Sequence, residues 1–340
     1  MKSLFPDSLP DRLRKHLEKA NRIAILSHIN PDGDSIGASL ALYLALDSHG
    51  FPAEVVVPNG IPAFLSWLPG CEKAIVAEKN PEKAVETVRN AEVLFFIDFS
   101  ELNRLEMLED AARQNTGAYR VLIDHHPGPT INAALVISDT TVSSTAELMF
   151  TFISMLFPDE SLAENIAAAL YTGVMTDTGG FSHNIRRPET FRITAELLKT
   201  GIDQDEIHSK VYDNFTVTRM KLLGYALHQK MKILPEYHTG YIVLTHDELT
   251  SFHFQPGDTE GFVNLPLSVQ GIRFSALFLE KEDHIKISFR SKGSFAVNEF
   301  SKRYFHGGGH VNAAGGESRD SLGQTLKDFE NKIRDHADEI

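Results

Sequence analysis

The sequence is short of cysteine, tryptophan and long apolar runs. Cys71 is the single cysteine among 340 residues, so no disulfide can form within the chain, and we expect a reducing cytoplasm. No stretch approaches the roughly 18 consecutive apolar residues of a membrane span, and the charged first residues do not resemble a signal peptide. These absences predict a soluble cytoplasmic protein without a membrane partner.

Positive charge is also scarce. The chain has 33 Lys and Arg against 46 Asp and Glu, which gives a net charge of -13. Broad binding of long nucleic acid, duplex or single-stranded, requires a basic face, so the composition argues against such a partner. A short anionic substrate stays compatible with it, because bound divalent cations can supply positive charge locally.

The length and the residue pattern predict two domains. Over about the first 180 residues apolar strands alternate with helices, which predicts an α/β fold with a doubly wound, mainly parallel sheet. From Gly240 onward apolar residues recur at period two, which indicates a smaller mixed α/β domain. We place the first domain at 1–186, a helical linker at 187–232 and the second domain at 233–340.

Residues that can bind divalent metals cluster where predicted strands and helices of the first domain end. Open α/β sheets bind their ligands at the carboxyl ends of the strands. The candidates are His28, Asp32, Asp34, Asp98, Asp124, His125, His126 and Asp177. A lone acid at such a position is more often a helix cap or a turn former, but so many at one edge of a sheet indicate a shared site.

The loop that contains Asp32 and Asp34 shows the two interpretations side by side. Pro31 disfavours helix at Asn30, so we expect extended backbone that directs both carboxylates to the same side. Under the structural interpretation, Asp34 caps the following helix and Asp32 forms a turn, which leaves His28 without a role. Under the metal interpretation, a cation offsets the repulsion between the two carboxylates.

The residue types bear on the identity and number of the metal ions. Histidine and aspartate without cysteine suit borderline-hard ions such as Mn²⁺. The candidates outnumber the ligands that one ion needs, so we predict two ions about 3.5–4 Å apart, as in two-metal phosphoryl hydrolases.

Three further patterns have an ordinary structural interpretation when taken alone. Ser144-Thr145-Ala146-Glu147 has the spacing of a capping box, and we interpret it as structural. Lys286, Ser288 and Arg290 share one strand face, which is typical of a solvated surface. The run Gly307-Gly308-Gly309 is typical of a flexible turn, although its backbone amides could approach an anion closely.

Taken together, the motifs resemble those of the DHH phosphoesterase family. The match in order and spacing comprises His28-x-Asn30-Pro31-Asp32-x-Asp34, Asp98, Asp124-His125-His126 and Asp177. The segment from Gly307 through His310 and Asn312 to Gly315 looks like the signature of the DHH-associated substrate-binding domain. With this chain length, the combined motifs resemble the nano-RNase and pAp-phosphatase subfamily.

The resemblance implies a role for each matched residue. It implies one Mn²⁺ held by His28, Asp32 and Asp98. It implies a second Mn²⁺ held by Asp34, Asp98, His125 and Asp177, with Asp98 bridging and with Mg²⁺ or Co²⁺ as replacements in vitro. The implied catalytic group is Asp98, Asp124 and His126, with His126 near the scissile phosphate as a polariser or proton donor.

The same resemblance implies a substrate-binding surface in the second domain. Its predicted residues are Ser288, Arg290, Gly307, Gly308, Gly309, His310 and Asn312. The chain departs from many family members by carrying His306 where they have a further glycine. If that position requires a positive φ, a histidine is strained there, and the pocket for the end of the substrate could narrow or shift.

We therefore predict a Mn²⁺-dependent phosphoesterase with a two-metal mechanism. Its substrates would be short single-stranded RNA, degraded to mononucleotides, or pAp (3′-phosphoadenosine 5′-phosphate), or both. A phosphodiesterase for cyclic dinucleotides or for linear dinucleotides such as pGpG and pApA would use the same residues. A RecJ-like single-strand DNA exonuclease and a nucleotide sensor without turnover remain as alternatives, and the oligomeric state stays open, a homodimer included.

Overall fold

The computed structural model describes residues 9–158, 160–185, 187–213, 215–255 and 257–340. The chain divides into two compact units, Met1–Asn214 and Phe215–Ile340. Within the described ranges, every helix is too short or too polar to cross a lipid bilayer.

The first unit is built on a parallel sheet. Its described strands are β1 Ile23–Leu26, β2 Ala53–Val57, β3 Ile75–Val76, β4 Val93–Ile97, β5 Tyr119–Asp124 and β6 Leu135–Ser138. They pair in the order β3-β2-β1-β4-β5-β6, and all five pairings are parallel.

Helices cover both faces of this sheet. The described helices are α1 Leu9–Leu17, α2 Gly33–Ser48, α3 Pro81–Asn90, α4 Glu109–Gln114, α5 Thr145–Leu156, α6 Glu164–Asp177, α7 Glu189–Leu198 and α8 Gln204–Tyr212. Alternate strand residues enter two separate cores: Phe95 lies in the core shared with α2, α5 and α6, and Phe96 in the core shared with α3 and α4. A strand buried on both faces carries a continuous apolar run, and the predicted doubly wound sheet is confirmed.

The strand order positions the candidate site. It reverses between β1 and β4, which are neighbours although β2 and β3 separate them in the chain. Such a reversal opens a crevice at the carboxyl ends of the two strands, where doubly wound proteins bind their ligands. His28 follows β1 and Asp98 follows β4, so both lie at this crevice.

The second unit contains a mixed sheet. Its described elements are α9 Val217–Tyr225, β7 Met231–Leu234, β8 Thr239–Leu244, α10 His246–Ser251, β9 Phe274–Glu280, β10 Ile285–Ser291, α11 Val297–Tyr304, β11 Gly308–His310, β12 Ala313–Ser318 and α12 Leu322–Asp335. The order is β11-β12-β10-β9-β8-β7, with β8 and β9 parallel and the other pairs antiparallel. The predicted smaller mixed α/β domain is confirmed.

Three helices, α7, α8 and α9, follow the first sheet and precede the second sheet in the chain, and they belong to different units. Ile193 and Leu197 of α7 and Ile207 of α8 lie in the larger core of the first unit, whereas Leu222 of α9 packs in a core of the second. The boundary between the units falls between residues 214 and 215, inside the range 187–232. Its assignment as a linker between domains at 1–186 and 233–340 stays a prediction.

Candidate metal centre

A first group of potential metal ligands surrounds His28. Its Nε2 atom lies 3.5 Å from Asp98 Oδ2 and 4.0 Å from Asp32 Oδ2. The Nδ1 atom of the same ring lies 2.7 Å from the carbonyl oxygen of Ile29. If Nδ1 carries the proton and donates it there, the lone pair of Nε2 is directed toward the two carboxylates, as in metal-binding histidines.

A second group surrounds His125. Its Nε2 atom lies 3.6 Å from Asp177 Oδ2 and 3.9 Å from Asp34 Oδ2. The side chains of this group come from the loop after β5, the carboxyl end of α6 and the first turn of α2. In each group the potential ligand atoms lie within 4.8 Å of one another.

Asp98 lies between the two groups. Its Oδ2 atom is the one near His28, and its Oδ1 atom lies 3.6 Å from His125 Nε2. The residue follows β4 directly and adopts a left-handed backbone with φ 68°, a conformation that Asp tolerates better than most residues. One carboxylate thus presents a different oxygen to each group, which is the arrangement of a bridging ligand.

Asp124 and His126 form a pair beside Asp98. The Asp124 side chain is fully buried at the end of β5, and its Oδ1 atom accepts hydrogen bonds from the His126 amide at 3.1 Å and from Nδ1 at 2.7 Å. Burial acts to lower the pKa of His126, but the bond to Asp124 and the charge of Asp98 outweigh it and raise that pKa to about 9. Asp124 and Asp98 therefore favour the protonated imidazole of His126.

The charges of the centre are crowded. Burial, followed by the charges of Asp98, Asp177 and Asp32, raises the pKa of Asp34 well above its usual range. Burial lowers the pKa of His125, which favours the neutral imidazole that binds metals. Several carboxylates held together in a buried place are compatible with ionisation only if cations offset their repulsion. The donor set and its charge therefore fit divalent metal ions.

The loop after β1 differs from its predicted form. Asn30 adopts a left-handed backbone with φ 51°, so the prediction of extended backbone was wrong. The Asn30 backbone amide donates to Asn59 Oδ1 at 2.7 Å, and the side-chain Nδ2 atom of Asn59 donates to Asn30 Oδ1 at 3.1 Å. This reciprocal pair ties the loop after β1 to the loop after β2 and offsets the cost of the unusual backbone.

The helix cap also falls on a different acid. Asp32 is the N-cap of α2, and its Oδ1 atom accepts from the amides of Asp34 and Ser35 at 3.1 and 3.0 Å. Asp34 lies inside the first turn of α2, so the alternative in which Asp34 caps the helix was wrong. Asp32 combines both interpretations, because Oδ1 caps the helix while Oδ2 faces His28.

Sequence reasoning recognised the start of α5 but missed its contacts with Asp34 and Asp98, and it missed one arginine. The predicted capping box is half present: Ser144 Oγ accepts from the Glu147 amide at 3.3 Å, but the Glu147 carboxylate accepts from the Ser143 amide instead. Thr145 contacts Asp34 and Asp98, and Arg104 Nη2 lies 3.1 Å from His28 Nδ1. A helix start recognised in sequence is a place where anions bind, which was the available signal for Thr145.

The predicted substrate-binding residues of the second unit form rows across three strands. Ser288 pairs with Gly315, which pairs with Gly308; Arg290 pairs with Ala313, which pairs with His310. Phe289 lies in the row between them, and its side chain is buried in the core on the opposite face of the sheet. Ser288, Arg290, Gly308 and His310 therefore share the face away from that core.

Close packing requires glycine at two positions of the run, Gly307 and Gly309, whereas a Cβ atom at Gly308 would meet nothing within 4 Å. A Cβ atom at Gly307 would lie 1.8 Å from the Gly315 carbonyl oxygen, and within the run only Gly309 has a positive φ, at 137°. His306 has φ 49°, so this position does adopt the conformation in which a histidine is strained. The side-chain Nδ2 atom of Asn312 donates to Ser291 Oγ at 2.9 Å and to the Gly293 carbonyl at 3.0 Å, so Asn312 also supports the turn after β10.

Comparisons with known proteins agree with this architecture. Residues 22–174 match the model of the DHH family, N-terminal domain, and residues 238–339 match that of the DHHA1 domain. The chain is similar to the bifunctional oligoribonuclease and PAP phosphatase NrnA of Thermus thermophilus, with 30% identity over 293 residues, 86% of this chain and 83% of the relative. The protein of the same name from Bacillus subtilis is 27% identical over 92% of this chain and 95% of its own length.

A solved structure is similar over nearly the whole chain. It is that of an exopolyphosphatase-related protein from Bacteroides fragilis, with 39% sequence identity and a TM-score of 0.91, and the alignment covers 96% of both chains.

Proposed function

This chain belongs to the DHH family of phosphoesterases, and on that premise we propose that it is a metal-dependent hydrolase of short oligoribonucleotides and pAp. The observation that carries the reaction type is Asp98, whose two oxygens face two separate groups of acid and imidazole ligands. The substrate class is supported by the relatives named as oligoribonuclease and PAP phosphatase.

The proposed cofactor is a pair of Mn²⁺ ions. His28, Asp32 and Asp98 would hold one ion, and Asp34, Asp98, His125 and Asp177 the other. Each set combines one imidazole with carboxylates, which suits Mn²⁺. When bound, the ions supply an activated water nucleophile and offset the negative charge that develops on the phosphate.

His126 is the proposed proton donor. Its Nδ1 atom is committed to Asp124 at 2.7 Å, so a proton passed to the substrate would come from Nε2. The buried Asp124 orients the ring and keeps it protonated, which is the state that a general acid requires.

The proposed substrate grip lies on the face of the second sheet opposite the buried Phe289. The guanidinium group of Arg290 has the planar donors that suit a phosphate, and the neighbouring Gly308, Ala313 and Gly315 add little side-chain bulk across the same rows. The net charge of -13 favours substrates of a few nucleotides, because a long strand needs an extended basic track.

Polyphosphate is a second candidate substrate. It is favoured by the 39% identity to the Bacteroides fragilis protein described as exopolyphosphatase-related. The same two groups of ligands could serve it, since a polyphosphate also presents a terminal phosphoryl group to the metal ions.

One comparison of substrates tests the proposal. The purified chain with Mn²⁺ would be given an RNA dinucleotide, a short RNA oligomer, pAp, a cyclic dinucleotide, long single-stranded DNA and polyphosphate. We expect release of mononucleotides from the short RNAs and of phosphate from pAp. Asp98→Asn should abolish both activities, and Asp110→Asn, which changes an exposed acid on α4, should leave them unchanged. Turnover confined to long DNA or to polyphosphate would contradict the proposed substrate class.

A further inference from the structure

We propose that Thr145 is a positioning residue that keeps the Asp98 carboxylate turned toward both groups of ligands at once. The inference rests on the proposed function, because it assumes that the two groups bind metal ions. It concerns a residue that belongs to neither group and that lies at the first position of α5.

Thr145 contacts one acid of each group. Its hydroxyl donates to Asp98 Oδ1 at 2.7 Å, and its amide donates to Asp34 Oδ2 at 2.6 Å. The next amide, of Ala146, donates to Asp34 Oδ1 at 2.8 Å. Thr145, Asp34 and Asp98 are all buried, so water does not compete for these bonds.

The contact matters because a carboxylate turns easily. The χ2 torsion of an aspartate has a broad distribution of allowed angles. The side chain of Asp98 by itself therefore does not keep Oδ1 toward His125 and Oδ2 toward His28. A rotation by about a quarter turn would direct both oxygens away from the line between the two groups. The Thr145 hydroxyl makes a hydrogen bond to an ionised acceptor, which is among the stronger kinds. This bond favours the orientation in which Asp98 Oδ1 faces His125 and Oδ2 faces His28.

The start of α5 is itself held in place. The buried Glu147 carboxylate accepts from the Ser143 amide at 3.0 Å and from Thr190 Oγ1 at 2.8 Å, and it lies 3.5 Å from Arg187 Nη2. These partners come from the loop before α5 and from the segment that follows Asp177. The helix start that carries the Thr145 hydroxyl is therefore held by contacts with two other segments of the chain.

Four variants separate the hydroxyl from the volume of the side chain. Thr145→Val keeps the shape and loses the hydroxyl, Thr145→Ala loses both, and Thr145→Ser keeps the hydroxyl. Thr194→Val is the matched control, because Thr194 is also largely buried in the first unit but its hydroxyl bonds within α7 to the Thr190 carbonyl at 2.7 Å. Each metal-free protein would be titrated with Mn²⁺ alone by calorimetry, and the spin coupling of the bound ion pair followed by electron paramagnetic resonance.

We expect the second Mn²⁺ to bind about tenfold more weakly or worse in Thr145→Val and Thr145→Ala, with loss of the coupled spectrum, since residues that orient metal ligands have effects of about this size. Thr145→Ser and Thr194→Val should bind both ions like the unaltered chain. If affinity instead follows side-chain volume, so that Val matches Thr while Ala and Ser are weak, the inference is overturned.

Two other outcomes are also decisive. Binding of two ions with equal affinity by the unaltered chain and all variants would overturn the role of Thr145 and leave the proposed function intact. Failure of the unaltered chain to bind Mn²⁺ would overturn both. If Thr145→Val does not fold, Ala against Ser decides in the same way, because equal affinities in those two would exclude a role for the hydroxyl.

Discussion

At the scale of single residues, the buried Asp124 carboxylate favours the protonated state of the neighbouring His126 imidazole. Asp124 is fully buried and bonds both the amide and the ring of His126. That contact raises the pKa of the ring even though burial acts against it. The residue is thereby suited to donate a proton, whereas the adjacent His125, whose pKa burial lowers, is suited to bind a metal.

The first prediction separates these two roles. His126→Gln should lower kcat for pAp by about 10²- to 10⁴-fold, the usual contribution of a general acid, and should change Mn²⁺ affinity by less than about threefold. Steady-state kinetics and calorimetry measure the two quantities. His208→Gln, an exposed histidine on α8, is the control and should change neither. Loss of Mn²⁺ binding in His126→Gln would mean that His126 is a ligand rather than the acid.

At the scale of elements, glycines let α2, α5 and α6 approach closely. A Cβ atom at Gly37 of α2 would lie 2.4 Å from the Ala169 carbonyl oxygen of α6, and one at Gly173 of α6 would lie 2.7 Å from the Ala146 Cβ atom. Close approach of these helices brings Asp34, at the start of α2, near Asp177, the potential ligand at the end of α6. The geometry of the centre therefore depends on small residues that carry no chemistry of their own.

The second prediction tests this dependence. Gly173→Ala should lower the free energy of unfolding by about 1–3 kcal/mol, the usual cost of overpacking, and should weaken Mn²⁺ binding, because the new methyl group would also lie 3.0 Å from Asp34 Oδ1. Urea denaturation and calorimetry measure both effects. Gly224→Ala in α9 is the control: nothing lies within 4 Å of its added Cβ, so it should stabilise by up to about 1 kcal/mol. Equal behaviour of the two variants would contradict the packing argument.

At the scale of the whole molecule, the metal centre and the predicted substrate grip lie in different units. All the proposed metal ligands belong to residues 1–214 and all the predicted substrate-binding residues to 215–340. Metal binding should therefore stabilise one unit directly. Trp67, the only tryptophan of the sequence, lies in that unit and donates from Nε1 to the Phe64 carbonyl at 2.8 Å.

The third prediction uses Trp67 as a reporter of the first unit. With Mn²⁺ a hundredfold above its dissociation constant, each bound ion should add about 2.7 kcal/mol to the free energy of unfolding. The urea concentration at the midpoint of unfolding, followed by Trp67 fluorescence, should rise with Mn²⁺. It should return to its metal-free value when a chelator removes the ions. The Asp98→Asn protein should show a smaller rise, since Asp98 serves both groups. A midpoint that ignores Mn²⁺ in the unaltered chain would contradict metal binding at this centre.

The sequence by itself predicted the architecture and brought together the candidate residues of the centre. Apolar runs too short for a membrane and alternating with helices are enough to predict a doubly wound sheet, because a buried strand needs cover on both faces. Acids and histidines that end those runs are then brought to one edge by the parallel arrangement. The left-handed backbone of His306 was anticipated only as a condition, from the resemblance that places a glycine there in many family members.

Only the tertiary structure decided which atom faces which. The left-handed Asn30 bonds to Asn59, 29 residues further on, and the Asp98 carboxylate accepts from Thr145, 47 residues further on. Such contacts join elements that are distant in the chain, so periodicity and local propensity carry no signal for them. The division of Asp32 between a helix cap and a metal-facing oxygen is of the same kind, because one carboxylate has two oxygens and the sequence does not say where each is directed.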